Sequence, residues 1–302
     1  MSERKGAIKN MGMLDLTSAK TAEELSGITS MENVGVVLVP EHLTAALAGI
    51  PSQNVGSVVP VPQGAKMNLQ VGQTRLSGEA LAAGPEDAIL VLVGQIIITT
   101  PVEQVGYKEL RVVGQLLAPR GSETALGAKL ANLTGQAVYY PEGARLIMGS
   151  ETLSREALES LTRPTPLMVE GRLTIEDDVT PELLRSKVPE IMLTGIIEAP
   201  KALWPALRSL MVDSTGRLVP KGSRFITGKE SFGAAFLELL PEAVVLVVTG
   251  KLAFEDDVTV ELLRSKVSEV YLTGKIKAPK ALVPHLQILA VDKTGQIEAD
   301  SD

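Results

Sequence analysis

The chain has 302 residues, of which 45% are hydrophobic and only 3% aromatic, so a core can form while few rings remain to stack on bases or sugars. Lys and Arg total 29 against 36 Asp and Glu, and the formal charge of -7 is the wrong sign for a nucleic-acid binder. The absence of cysteine excludes disulfides, thiolate metal sites and a cysteine nucleophile.

Met1–Met13 has charges but no apolar segment of the kind that directs secretion, and no window reaches 18 uninterrupted apolar residues. The expected location is therefore cytoplasmic, without a membrane partner. Along the chain, residues 8–61 read as a partial copy of later sequence. Gly12, Thr21, Leu25, Gly35, Pro40, Leu43 and Leu47 precede Gly171, Thr180, Leu184, Gly195, Pro200, Leu203 and Leu207 by 159 or 160 residues. A second copy, 62–140, opens with Pro62-Gln-Gly-Ala-Lys66. The same marker returns 79 residues later as Pro141-Glu-Gly-Ala-Arg145, opening a third copy (141–219), and 79 later again as Pro220-Lys-Gly-Ser-Arg224, opening a fourth (220–298). Residues 299–302 form an acidic tail. Between the last two copies the identity is close: Glu176–Val188, EDDVTPELLRSKV, recurs as Glu255–Val267, EDDVTVELLRSKV, with twelve of thirteen positions unchanged. Repetition at a fixed period points to repeated supersecondary units that share a core with their neighbours.

Within the third copy the hydrophobic pattern predicts strands over Arg145–Thr152, Leu167–Ile175, Ile191–Ile197 and Leu210–Leu218. Helices are predicted between most of them. Thr180-Pro181-Glu182 supplies a Thr cap, a proline at the first helical position and an acid in the first turn, and Leu183, Leu184 and Val188 follow on one side. Pro40, Pro119, Pro200 and Pro279 are expected to open other helices in the same way. Leu184, Val188, Ile191, Leu193, Gly195 and Ile197 together spell L-x-x-x-V-x-x-I-x-L-x-G-x-I, which resembles the leucine-rich repeat. The Asn that such repeats carry after the strand is missing, and Gly94, Gly114, Gly171, Gly195, Gly250 and Gly274 stand in its place. The resemblance implies an α/β repeat fold, an elongated parallel-sheet solenoid of strand–helix units. Fifteen strands stacked about 4.8 Å apart would extend roughly 70 Å.

Sites for chemistry are sparse. His42 and His285 lie in no triad or zinc pattern. Glu176-Asp177-Asp178 and Glu255-Asp256-Asp257 have hard oxygen ligands but no EF-hand spacing, and each precedes a helix start where negative charge is favoured anyway. Gly121–Gly127 lacks the ending of a phosphate loop, and Lys275, Lys277 and Lys280 form a small basic group read as a solvated face. No catalytic residue, cofactor or metal is assigned. If the strand glycines face inward, the opposite face carries Val34, Val36, Leu38, Val91, Val93, Ile97, Val113 and Leu117 in the N-terminal half. In the C-terminal half it carries polar residues such as Arg172, Lys251 and Lys275. An apolar face of that size calls for a cover: a protein partner, a second copy in a homo-oligomer, or a folded-back segment. The expectation is a non-enzymatic scaffold for protein–protein interaction or self-assembly, with a filament former and a repeat enzyme using the acidic clusters as alternatives.

Overall fold

Runs of Val, Ile and Leu become parallel strands, and the short polar segments between them mostly wind into helices of one or two turns. The structure, a computed structural model, describes residues 6–300 and divides into two units, 1–143 and 144–302. The first five residues and the last two of the acidic tail lie outside the described residues.

In the first unit β1 (Gly6–Asp15), β2 (Ile28–Pro40) and β3 (Ser52–Val61) form one parallel sheet. A second contains β4 (Lys66–Leu76), β5 (Ala88–Ile98), β6 (Glu109–Pro119) and β7 (Leu130–Tyr140), in that order. The break between them has a simple cause. Only residues 62–65 separate β3 from β4, in a turn where Gly64 takes φ +73 and the Ala65 amide donates to the Pro62 carbonyl at 3.2 Å. A parallel neighbour needs a crossover of about a dozen residues or more, so β4 turns back and starts a new sheet.

The two sheets then meet face to face. Val36, Leu38, Val59 and Val61 pack with Ile89, Val91 and Val93, while Met67 and Leu69 close the margin. On the far side of the first sheet Met31, Val37 and Val39 pack with Leu25, Leu43 and Leu47 from the helical segments. Leu90, Leu92 and Val112 do the same with Leu81 and Leu126 on the second sheet. The layers run helix, sheet, sheet, helix. A cation crosses the apolar seam: Arg111 of β6 donates to Glu41 at 2.9 Å, to Glu109, and to the carbonyl of Pro60 in β3. Near the end of β7, the Tyr140 hydroxyl donates to the Ile98 carbonyl, and burial pushes its pKa up to about 12.

Two expectations change here. The strands do not form one ladder of fifteen; they group into six sheets of three or four among the described residues. The predicted interaction face is also closed from within the chain. Val34, Val36, Leu38, Val91, Val93, Ile97 and Leu117 are buried and Val113 is half-buried, so none offers a free docking surface. Val34 packs with the helix-side cluster and Val36 in the seam, so the alternation of side chains in β2 breaks between them, at Gly35.

Stacking in register produces side-chain ladders. Asn10, Asn33 and Asn54 all have positive φ, and their amides bond in series at 2.9 Å. Gln73, Gln95 and Gln115 form a second series at 2.6 and 3.0 Å. Just before them Gly72, Gly94, Gly114 and Gly135 align at φ between +101 and +136. A Cβ at Gly114 would lie 2.0 Å from the Gly94 oxygen.

In the second unit most of these long strands are broken in two at a glycine corner. The first half-strands are β8 (Arg145–Ile147), β10 (Leu167–Val169) and β12 (Ile191–Leu193). The second halves are β9 (Ser150–Leu153), β11 (Arg172–Ile175), β13 (Ile196–Ala199) and β14 (Arg217–Pro220). At the corner both Glu170 and Gly171 amides donate to the Ile147 carbonyl, at 3.0 and 2.9 Å, and the strand leaves in a new direction.

The turn at 221–223, with Gly222 at φ +80, then starts another pair of sheets. One holds β15 (Arg224–Ile226), β17 (Val244–Val248), β19 (Val267–Leu272) and β21 (Ala290–Lys293). The other holds β16 (Lys229–Phe232), β18 (Lys251–Phe254), β20 (Lys275–Ala278) and β22 (Gln296–Ala299). The near-identical runs fold alike. Pro181–Lys187 and Val260–Lys266 are helices whose Thr180 and Thr259 hydroxyls accept from Leu183 and Leu262 amides, both at 3.2 Å. Pro40 and Pro200 lead into short 3-10 turns, whereas Pro119 and Pro279 stand a few residues before their helices.

Replacing Val36 and Val93 together by Lys places two unpaired charges in the apolar seam. Loss of cooperative melting, or a destabilisation of several kcal/mol, is expected by circular dichroism, because about 1.5 to 3 kcal/mol of burial per side chain is also removed. Gly114→Ala should cost about 2 kcal/mol or more in urea unfolding, since neither its φ nor the neighbouring carbonyl admits a side chain.

Candidate functional site

Most groups able to do chemistry are engaged in holding the fold. His42 meets the Lys20 carbonyl at 3.0 Å, and His285 is half-buried on the helix Val283–Leu289. The acidic clusters are structural in their contacts. Lys221 lies 2.6 Å from Glu176 and 2.7 Å from Asp177, and bonds to Asp177 and Glu176 raise its pKa. Asp178 accepts from the Arg155 amide at 3.1 Å, at the start of the neighbouring helix Arg155–Glu159. Asp257 repeats this at the Ala234 amide (3.0 Å), and Glu255 accepts from the Ser231 hydroxyl (2.9 Å). Among the described residues no three His, Asp or Glu side chains converge in a way that could hold a metal ion.

A groove in the second unit gathers Lys201, Trp204, Arg208, Arg217 and Tyr271. Two of its cations are already matched to acids: Lys201 to Glu269 at 2.5 Å and Arg217 to Asp292 at 3.5 Å. Burial, with Glu269 beside it, pushes the Tyr271 hydroxyl up to about 12. Trp204 itself packs against Val219, Val247 and Tyr271. These residues join one pair of sheets to the other. Arg172 belongs to the same junction, its guanidinium 3.6 Å above the Phe225 ring and 2.6 Å from Glu198.

The sheet β16-β18-β20-β22 differs. Its inner face supplies Phe232, Leu252, Phe254, Ile276 and Ala278 to the core. Alternation therefore turns Lys229, Lys251, Lys275 and Lys277 outward. Lys229, Lys251 and Lys275 are paired partners on adjacent strands, so three ammonium-bearing side chains start from points about 4.8 Å apart. Lys229, Lys251 and Lys277 are exposed and Lys275 is half-exposed, around a hollow also lined by Leu252, Ala253 and Glu230, the last of which pairs with Arg224.

Lys275 reaches Glu298 at 2.6 Å and Lys277 reaches Asp300 at 3.6 Å. Lys229 and Lys251 have no carboxylate partner among the described residues. The sequence had shown Lys275 and Lys277 as a basic pair and Lys251 as outward-facing, and it had missed Lys229. The available signal was a recurring dipeptide, a lysine straight after the corner glycine: Gly228-Lys229, Gly250-Lys251 and Gly274-Lys275. In the preceding copy the same places hold Ser150, Arg172 and Ile196.

If the acids of the first cluster serve as helix caps rather than ligands, Asp178→Ala should lower stability by about 1 kcal/mol in urea unfolding. Added calcium should leave the midpoint of the unaltered chain in place. Comparison with known proteins finds no matching family model, no similar curated protein and no similar solved structure.

Proposed function

We propose that the chain is a non-enzymatic scaffold of tandem strand–helix copies, a relative in design of repeat solenoids, that binds another protein through an exposed charged sheet face. The observation that carries this reading is the lysine ladder of Lys229, Lys251 and Lys275 on an outward sheet face, where Lys275 meets Glu298 while Lys229 and Lys251 have no carboxylate partner among the described residues. Like charges in register on adjacent strands are destabilising, so a fold gains nothing from them unless something of opposite sign is present. Two features support the repeat reading. Two of the three Pro-x-Gly turns, at 62–65 and 221–223, are where the chain starts a new sheet within a unit, and equivalent helices follow equivalent Thr caps.

Self-assembly through the N-terminal valines is the weaker alternative, because those side chains are spent between the first two sheets. A cytoplasmic setting is part of this reading; the lack of cysteine favours neither redox compartment.

Photocrosslinking tests the reading in cells that make the protein. A crosslinker placed at Ser231 or Ala253 should yield one discrete heteromeric adduct, and that adduct should disappear in Lys229→Glu/Lys251→Glu. Adducts at twice the 32.0 kDa chain mass would favour self-association instead. No adduct from either position would defeat the scaffold reading at this face.

A further inference from the structure

We infer that the lysine face takes an extended acidic segment of a partner protein, and that the chain's own Glu298 and Asp300 occupy part of that face as an internal substitute. The inference rests on the scaffold reading and adds the chemistry of the partner. Glu298 and Asp300 are two residues apart at the end of β22, and they meet Lys275 and Lys277, also two residues apart on β20. Extended backbone spaces alternate side chains by about 6.8 Å, so an acid at every second position matches lysines at every second position. These are pairs between neighbouring strands of one sheet, and they show that carboxylates two residues apart reach lysines spaced alike. The pairing stops halfway: Lys229 and Lys251 continue the basic surface beyond the reach of these two acids.

The same surface argues against a polyphosphate chain. It has no aromatic side chain on which bases could stack, and the molecule as a whole carries -7. A carboxylate segment needs only charge and reach, which four flexible lysine stems provide. Because the pairs are exposed, the attraction must weaken with salt.

Fluorescence anisotropy with a labelled deca-glutamate peptide at low ionic strength provides the test. Saturable binding is expected. It should weaken about tenfold or more in Lys229→Gln/Lys251→Gln and further in the double Glu variant, equivalent to about 1.4 kcal/mol per factor of ten. Glu298→Gln/Asp300→Asn should tighten it several-fold, since the internal competitor is removed. Arg185→Glu/Arg264→Glu alters the net charge as much as the double Lys→Glu variant does, through exposed helix residues, and should leave binding within about twofold.

Melting curves of each variant establish that the fold is retained. The inference is overturned if the peptide fails to bind, if both charge pairs weaken it alike, or if removing Glu298 and Asp300 weakens it. A single-stranded oligonucleotide that binds more tightly than the peptide with the same lysine dependence would also overturn it, in favour of a nucleic-acid partner. If deca-glutamate fails while the Ser231 and Ala253 crosslinks persist and depend on the lysines, the scaffold reading stands and only the acidic partner falls.

Discussion

The length of a turn governs this architecture. Helical segments and loops of roughly ten to twenty residues connect parallel neighbours within a sheet, but residues 62–65 and 221–223 are too few for any crossover. At those two places the chain has to reverse, and reversal lays a new sheet against the face of the old one. The consequence is set by composition. Valines and isoleucines fill the seam in the first unit, whereas in the second unit Arg172 stacks on Phe225 and pairs with Glu198 beside Val219, Val247 and Tyr271. The same geometric device therefore makes one dry interface and one mixed interface. Arg111 shows the exception tolerated in the dry one: a guanidinium whose donors reach Glu41, Glu109 and the Pro60 carbonyl is buried without being left unsatisfied.

Register supplies the second constraint. Parallel strands that pair residue for residue put identical side chains one strand apart, and the effect depends on the side chain. Amides profit, since the middle member of each series, Asn33 or Gln95, both donates and accepts. Glycines are required where one backbone approaches the next, as at Gly171, whose added Cβ would sit 2.0 Å from the Gly149 oxygen. Lysines in such a row repel each other. That contrast singles out Lys229, Lys251 and Lys275 as the row whose presence the fold itself does not explain.

Local features were legible in the sequence and relations between distant segments were not. The helix at Pro181–Lys187 could be read from Thr180-Pro181-Glu182 because capping and proline geometry act within four residues. Three of the four strand positions in the third copy followed from hydrophobic pattern, but Leu210–Leu218 did not: Leu210 ends the helix Trp204–Leu210 and the strand begins only at Arg217. The division of strands at Gly171 and Gly195 was not legible either, because it depends on two amides sharing one carbonyl. The Pro-x-Gly turns were visible as a periodic marker, but their role as reversals requires knowing that no helix intervenes. The side assignment of Val34 and Val36 failed because the alternation of side chains breaks between them, at Gly35. For the charged face, the lysines were present in plain sight at spacings of 22 and 24 residues, and only strand register reveals them as neighbours.

The turn at 62–65 has one more property that follows from its place. It contributes no strand to either sheet, and its exposed Gln63 and Gly64 are joined to the rest of the first unit chiefly through the chain itself. Each sheet on either side keeps its full set of backbone bonds without it. Covalent continuity at that point adds effective concentration and no strand pairing of its own. A nick between Gln63 and Gly64 would turn the unit into two fragments held by the valine seam and by Arg111, a split protein whose halves recognise each other by the contacts that the intact chain already makes.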